Sequence, residues 1–180
     1  MFVQTEITPN PNSLKFLPGK NVSNKGSFEI TQKDQINNEL VKNLLSINGV
    51  EGIFLGKDFI SINKYDDTSW DEIKHIVISL INDFYLDGKE FVIDENVKED
   101  TSDLNEIEEK IVKILEQKIR PAVARDGGDI KFKEFKDGVV KVQLQGSCSG
   151  CPSSTMTLKQ GVQNLLCHYL PEVREVVAIQ

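Results

Sequence analysis

The sequence has few cysteines and histidines and no long apolar run. Its 180 residues include three cysteines and two histidines. An odd, small number of cysteines does not make the disulfide framework of a secreted domain. No apolar run approaches the roughly 18 residues that a membrane helix needs. Met1–Ile7 contains neither a basic nor an apolar segment, so we expect no secretory signal and no transit peptide in this chain.

The sequence also lacks an excess of positive charge. Lys and Arg total 21 and Asp and Glu total 28, which gives a formal net charge of −7 at pH 7. Nucleic-acid-binding domains need clustered Lys and Arg to neutralise phosphates, and neither half of the chain contains a basic stripe. The hydrophobic fraction of 39% and the charged fraction of 27% are typical of a globular chain. We therefore expect neither a nucleic-acid nor a membrane partner.

The first half of the chain predicts a small sheet packed with helices. A polar turn at 9–12 precedes an extended segment, and apolar residues at helical spacing predict a helix over 34–47 that Gly49 ends. A hairpin is expected around 56–58, and Ser69 with Glu72 predicts a capping box. The predicted strands and second helix cover 14–17, 50–55, 59–63, 69–86 and 91–93. The expected inner face of the second helix consists of Ile73, Ile76, Val77, Leu80, Ile81 and Phe84.

The second half predicts another small sheet with helices. A capping box of Asp103 and Glu106 begins a helix that Pro121 is expected to kink or end. The Asp137-Gly138 dipeptide predicts a two-residue hairpin turn between strands at 130–136 and 139–145. A helix from 152 and a strand at 173–179 complete an α-β-β-α-β order. The apolar stripe of the helix that begins at the Asp103 capping box consists of Leu104, Ile107, Ile111, Ile114, Leu115 and Ile119.

These patterns predict an α+β fold (α/β-type two-layer) in two small domains. The first spans 1–93, and the second spans 104–180. The segment 94–103 is polar and charged, so it cannot bury a core and predicts a flexible linker. The first domain contains no cysteine and a single histidine, His75, on the outer side of its helix. By exclusion, we expect the first domain to recognise a partner or client protein.

Cys148 and Cys151 lie between a predicted strand and a predicted helix. Pro152 suits the first position of that helix, because the N–H that proline lacks has no partner there. Free N–H groups and the positive end of the helix dipole would then favour the thiolates, which are the forms that bind metal or an iron–sulfur cluster. Gly146 and Gly150 allow the backbone to approach a bulky inorganic group.

A Cys-x-x-Cys pair by itself fits zinc, redox and cluster chemistry. A zinc site within one chain needs four ligands, and the remaining candidates, Cys167 and His168, would lie about 24 Å along the helix from Cys151. A zinc-bridged structural dimer remains an alternative. A thiol–disulfide oxidoreductase is a second one, although a β-hairpin stands where that fold has a βαβ segment. A four-iron cluster usually takes four thiolates, so two identical loops could share it across a two-fold axis.

Two long segments of the sequence resemble a known family. The second domain closely resembles the C-terminal domain of NifU, called the Nfu domain, and residues 3–90 resemble the N-terminal domain of mitochondrial-type Nfu proteins. The motif of the first domain is Thr8-Pro9-Asn10-Pro11-Asn12-Ser13-Leu14-Lys15-Phe16. The motifs of the second domain are Arg120-Pro121, Asp126-Gly127-Gly128-Asp129-Ile130, Asp137-Gly138-Val139-Val140, Leu144-Gln145-Gly146 and Cys148-Ser149-Gly150-Cys151-Pro152-Ser153-Ser154.

The resemblance implies a carrier or scaffold protein and not an enzyme. Such a protein binds a 4Fe–4S cluster, one per dimer, on paired Cys-x-x-Cys loops, here Cys148 and Cys151. It passes the cluster to apo iron–sulfur client enzymes. Its implied partners are a second copy of itself, upstream cluster assembly proteins and those clients. The family implies a cytoplasmic location in a bacterium, or the mitochondrial matrix for a processed eukaryotic chain.

Overall fold

The computed structural model describes residues 3–23, 27–35, 37–90, 104–148 and 152–179, with side chains of the last segment from Thr155 onward. Within this part of the chain, five strands form one sheet and three strands form a second sheet. The sheets are built from separate segments, so we refer below to an N-terminal unit (3–90) and a C-terminal unit (104–179). The predicted α+β class is confirmed, with helices packed on two small sheets.

The N-terminal unit is an antiparallel sheet with two helices on one face. Its strands are β1 (Gln4–Ile7), β2 (Ser13–Leu17), β3 (Phe28–Ile30), β4 (Val50–Leu55) and β5 (Ile60–Lys64), in the order β1-β2-β5-β4-β3. Helices α1 (Glu39–Leu45) and α2 (Trp70–Leu86) cover that face. The predicted hairpin is present as β4 and β5, and its turn holds a Gly56 N–H to Phe59 carbonyl hydrogen bond of 2.9 Å.

Three details of the predicted N-terminal helices are wrong. Helix α1 begins at Glu39 and not near residue 34, because the Asn38 side chain accepts the Val41 N–H and caps the helix there. Ile36, Phe91–Ile93 and the linker at 94–103 lie outside the described residues. Ser69 is the N-cap of α2 as predicted, but its side chain accepts the Asp71 N–H, so the predicted capping box with Glu72 is not formed. Ile76 was expected on the inner face but is 47% exposed.

The C-terminal unit has the predicted α-β-β-α-β order. Its helices are α3 (Glu106–Ile114), α4 (Arg120–Arg125) and α5 (Pro152–Tyr169), and its strands are β6 (Gly128–Lys136), β7 (Val139–Gly146) and β8 (Glu175–Ile179). Strand β7 pairs with β6 antiparallel and with β8 in parallel, so α5 is the crossover connection. The β6–β7 turn has the expected left-handed residues, with φ of 52° at Asp137 and 81° at Gly138.

The start of the C-terminal unit differs from the expectation. Asn105 and Glu108 form the capping box of α3, and the predicted pair used Asp103, which lies outside the described residues. Pro121 does not end the helical segment. A π-helical turn at Leu115–Ile119 precedes it, and Pro121 occupies the first turn of α4. Proline is tolerated there because first-turn N–H groups need no helical partner.

Each unit has its own apolar core. The N-terminal core includes Phe16, Leu44, Ile62 and Val77, and the C-terminal core includes residues of α3, α5 and all three C-terminal strands. Trp70, the first residue of α2, packs against Phe16 with a ring-centroid distance of 6.4 Å. None of the described helices is long and apolar enough to span a bilayer.

Candidate functional site

Cys148 lies where β7 ends and before α5 begins. Gly146, with φ of +67°, turns the chain at the end of β7, and Pro152 is the first residue of α5 as predicted. The Thr155 hydroxyl donates to the Cys148 carbonyl at 3.0 Å, which ties the first turn of α5 to the cysteine. Gly150 and Cys151 lie outside the described residues, so the distance between the two predicted ligands stays a prediction.

The Cys148 side chain points into the C-terminal core. It is 6% exposed and belongs to the buried apolar cluster of that unit. It also lines a mainly apolar cleft of about 610 Å³, whose other walls include Pro9 of the N-terminal unit and Leu158 of α5. The thiol therefore faces a cavity next to the helix start, and bulk water does not surround it.

This burial makes the expected lowering of the thiol pKa wrong for Cys148. The pKa of the Cys148 thiol is raised to about 11, chiefly by desolvation and also by the nearby carboxylates of Asp126 and Asp129, while the hydrogen bond with Ser147 acts in the opposite direction. A thiolate in this place would face an apolar wall and two negative charges. A metal that bound through this sulfur would therefore have to displace the proton, as metal binding to thiols generally does.

The raised pKa predicts a slow, strongly pH-dependent alkylation of Cys148. In a chain with Cys151→Ser and Cys167→Ser, Cys148 is the remaining thiol. We expect its reaction with iodoacetamide to rise with pH to a midpoint near 11, against about 9 in urea. Because the folded pKa exceeds the unfolded one, the proton on this thiol stabilises the fold below about pH 9, and that stabilisation is lost as the pH rises toward 11. A midpoint at or below 9 in the folded chain would contradict the buried position.

Two glycine turns place the cysteine beside β6. The Ser147 N–H donates to the Gly127 carbonyl at 3.3 Å, and the Ser147 hydroxyl donates to the Asp126 carbonyl. A Cβ atom at Gly128 would lie 2.7 Å from the Cys148 Sγ and 2.6 Å from the Gln145 carbonyl. Only glycine at position 128 therefore leaves room for the thiol in this orientation.

The Asp126–Asp129 turn is held by hydrogen bonds to Asp129. Asp129 is 5% exposed and accepts two hydrogen bonds from Arg120, Nε to Oδ1 at 2.9 Å and Nη2 to Oδ2 at 2.8 Å. It also accepts the Ile130 N–H at 2.8 Å and a hydrogen bond from the Ser27 hydroxyl. A buried carboxylate is stabilised by such charge-assisted bonds, so this network fixes the start of β6 next to Cys148.

The other candidate residues lie away from Cys148. The Cys167 Sγ donates to the Val173 carbonyl at 3.2 Å near the end of α5, and His168 stacks edge-on against Tyr169 with centroids 5.1 Å apart. His75 is exposed on α2, as predicted. Among the described residues, no three His, Cys, Asp or Glu side chains are arranged to hold a metal ion.

Comparisons with known proteins agree with the motifs of both halves. The model of the NifU-like domain matches residues 111–177, and the model of the scaffold protein Nfu/NifU N-terminal domain matches residues 3–88. The chain belongs to the NifU-like family. The resemblance stated from the sequence motifs is thereby confirmed.

Plant and insect members of the NifU-like family align with nearly the whole chain. NifU-like protein 4, mitochondrial, and NifU-like protein 5, mitochondrial, of Arabidopsis thaliana are 44% and 42% identical over 98% of this chain. The Drosophila erecta protein named NFU1 iron-sulfur cluster scaffold homolog, mitochondrial, is 45% identical over 98% of this chain. The chain spans 65%, 67% and 64% of the length of these three relatives.

Two solved structures resemble parts of the chain. A NifU-like protein from Saccharomyces cerevisiae, solved by NMR, is 33% identical with a TM-score of 0.46, over 52% of this chain and 85% of that one. A crystallised Staphylococcus aureus protein is 27% identical with a TM-score of 0.42, over 44% of this chain and 98% of that one.

Sequence reasoning missed the contacts of the N-terminal unit with the base of the cysteine loop. The Asn10 side chain donates to the Ser147 carbonyl at 3.2 Å, and the Ser61 hydroxyl donates to the Gly127 carbonyl at 2.6 Å. The signal was the alternation along β5, in which Ser61 and Asn63 face away from the core that Ile60 and Ile62 enter. Alternating polar residues normally predict a solvent-facing surface, so the pattern by itself predicted that Ser61 and Asn63 are exposed to solvent.

Proposed function

We propose that the chain is an iron–sulfur cluster scaffold and carrier that binds a 4Fe–4S cluster between two copies and transfers it to apo-proteins. In this proposal, Cys148 and Cys151 of each copy supply the four thiolates. The observation that carries it is the position of Cys148, which lies between a strand end and the start of α5 and lines an open apolar cleft. The scaffold names of the fly relatives support the same function.

In this proposal, the cluster is the cargo that is transferred, and groups of this chain bind it and release it. The N–H groups at the start of α5 can donate to a negatively charged thiolate–iron group. The apolar wall keeps water from the cargo, and Asp126 and Asp129 disfavour the charged thiolate once the cargo leaves. Reprotonation of Cys148 would then favour release to a client over rebinding.

We propose the division of labour expected from the sequence. Residues 104–180 hold the cluster, residues 1–93 recognise assembly proteins and clients, and residues 94–103 join them. The mitochondrial names of the plant and fly relatives favour the mitochondrial matrix among the two expected locations.

Anaerobic reconstitution with iron and sulfide tests the proposal. We expect about two irons and two sulfides per chain, a Mössbauer spectrum of a four-iron cluster and a dimer in the same sample, because four thiolates hold one such cluster. An apo form of a 4Fe–4S enzyme added next should gain activity as the donor loses its iron. A monomer without iron, together with turnover of a disulfide substrate, would favour the thiol–disulfide oxidoreductase. Zinc retained in a stable dimer that transfers no cluster would favour the structural zinc site.

A further inference from the structure

The N-terminal sheet has a second face, opposite α1 and α2, that the expected function does not use. Four of its residues form one cross-strand row, because Lys15 pairs with Ser61, Ser61 with Phe54 and Phe54 with Glu29 in the strand registers. Paired residues of neighbouring strands point to the same side of a sheet. We call this row, together with Asn63, the docking face.

Every residue of the docking face contacts the base of the cysteine loop, which we define as residues 125–128 and 145–148. Lys15 Nζ donates to the Arg125 carbonyl at 3.4 Å, and Ser61 Oγ donates to the Gly127 carbonyl at 2.6 Å. Gly146 is reached three times. Its N–H donates to Glu29 Oε1 at 3.3 Å, its carbonyl accepts from Asn63 Nδ2 at 3.3 Å, and a Cβ atom on it would lie 3.0 Å from Phe54 Cγ.

The docking face recognises main-chain atoms. The partner atoms in the loop base are carbonyl oxygens and one N–H, and the turns that present them depend on the positive φ of Gly127 (+82°) and Gly146 (+67°). A Cβ atom at Gly127 would approach the Ser61 hydroxyl to 2.8 Å. The fit is therefore specific for a double-glycine turn beside a strand end, which is the structure that this chain builds next to Cys148.

The contact between the docking face and the loop base buries polar side chains. Because most of its interactions are hydrogen bonds, the two units can separate without exposing an apolar core. Phe54 is 1% exposed, Ser61 0% and Lys15 7%. Phe54 belongs to neither apolar core. The remaining contacts are hydrogen bonds, and the Asn63 Oδ1 is buried without a hydrogen-bond partner among the described residues. Polar interfaces between domains of one chain resemble transient protein–protein interfaces.

We propose that the docking face holds the base of the cysteine loop in a closed form of the chain, and that this form must open before two loops can share a cluster. The proposal rests on the proposed function for its second half. In the closed form, Pro9 lines the same cleft as Cys148, and Asn10 holds the Ser147 carbonyl. The N-terminal unit thus occupies space beside the thiol that a second loop needs. Opening frees the loop and at the same moment exposes the docking face.

Ser61→Lys is the variant that tests this proposal. Ser61 faces away from the N-terminal core, so a lysine there is solvated in the open form but buries a charge without a partner in the closed form. Ser79→Lys on the exposed side of α2 is the matched control. Asn63→Asp is a second variant of nearly unchanged shape, and it turns a carboxylate toward the Gly146 carbonyl. All three are made in the full-length apo chain.

Backbone ¹⁵N relaxation of the apo chain measures whether the two units tumble together, and it therefore detects the closed form without any cluster. We expect both units of the wild type and of Ser79→Lys to share one rotational correlation time. In Ser61→Lys and Asn63→Asp, each unit should tumble with its own shorter time, and the Gly127 and Gly146 amide signals should shift. Cluster reconstitution from iron and sulfide should become at least about tenfold faster in the opened variants, since one lost buried hydrogen bond alone alters an equilibrium by up to roughly that factor and a buried unpaired charge alters it more.

Several results would overturn the proposal. Two independent correlation times in the wild type would show that the closed form is not populated. Equal rates of cluster loading in the wild type and the opened variants would show that the closed form does not limit loading. If the wild-type apo protein is a dimer and Ser61→Lys makes it monomeric, the docking face would bind a second copy of the chain and not its own loop base. If no protein takes up iron and sulfide while relaxation shows one rigid wild type, the proposed function fails and the closed contact stands.

Discussion

Replacing Cys148 by serine is expected to abolish cluster binding, and so is replacing Cys151. Each variant leaves only two thiolates in a dimer, whereas a four-iron cluster usually takes four. Iron after anaerobic reconstitution should fall from about two per chain to near zero. Iron and sulfide analysis with the visible absorption spectrum measures the loss. Retention of a full cluster by either variant would exclude the proposed ligands.

Cys167→Ser is the matched control for the cysteine variants. Its thiol donates to the Val173 carbonyl at 3.2 Å, and a serine hydroxyl can make the same hydrogen bond. We expect this variant to bind the same amount of iron as the wild type. Urea unfolding of all three variants separates loss of ligands from loss of fold, because Cys148 is a core residue and a hydroxyl there costs stability.

Gly128→Ala is expected to lower the free energy of unfolding, because a methyl group there has no room beside Cys148. The added Cβ would lie 2.7 Å from the Cys148 Sγ and 2.6 Å from the Gln145 carbonyl, and the backbone atom cannot move without breaking the β6–β7 pairing. Overpacking of this kind costs about 1–3 kcal/mol. The free energy of unfolding from urea titration measures it, and cluster occupancy should fall because the thiol is pushed from its position.

Gly161→Ala provides the opposite control on α5. No atom lies within 4 Å of a Cβ placed there, so the substitution adds helix propensity without a clash. It should raise the free energy of unfolding by about 0.5–1 kcal/mol. Equal stability changes in Gly128→Ala and Gly161→Ala would show that the close approach of Cys148 to β6 does not constrain the fold.

In the proposed closed form, the docking face binds the loop base; in the open form, the same face is available to a partner protein. A client or assembly protein that binds the docking face would compete with the cysteine-loop base, and partner binding would then be coupled to loop release. Such coupling needs only that the partner bind the open form better than the closed form. This relates the recognition role proposed for residues 1–93 to the cluster role proposed for residues 104–180.

Much of the architecture follows from local sequence. Apolar periodicity located α2, and the Asp137-Gly138 pair located the β6–β7 hairpin, because its turn needs two positive φ values that these residues adopt readily. The position of Cys148 between a strand and a helix was also predictable, as was Pro152 at the first position of α5. These features depend on neighbours within a few residues.

The errors arise where distant parts of the chain compete with local preference. Pro121 was expected to end or kink its helix; it does not end the helical segment, because the π-helical turn before it places the proline in the first turn of α4, where its missing N–H has no cost, while a kink there stays a prediction. Ile76 matched the apolar stripe of α2 yet is 47% exposed, since the width of the buried stripe depends on what packs against the helix.

The sequence by itself determined the family, the α-β-β-α-β order of the second half and the identity of the candidate ligands, because motifs and periodicity are properties of short segments; strand β3 of the first half was not predicted. Only the tertiary structure decided the state of Cys148 and the use of the polar face of the first sheet. The thiol pKa is raised to about 11 because the thiol is buried in the core with two carboxylates nearby. Ser61 and Asn63 contact turns 66 and 83 residues away in the chain. Desolvation and long-range hydrogen bonds depend on which surfaces meet, and no local pattern encodes that.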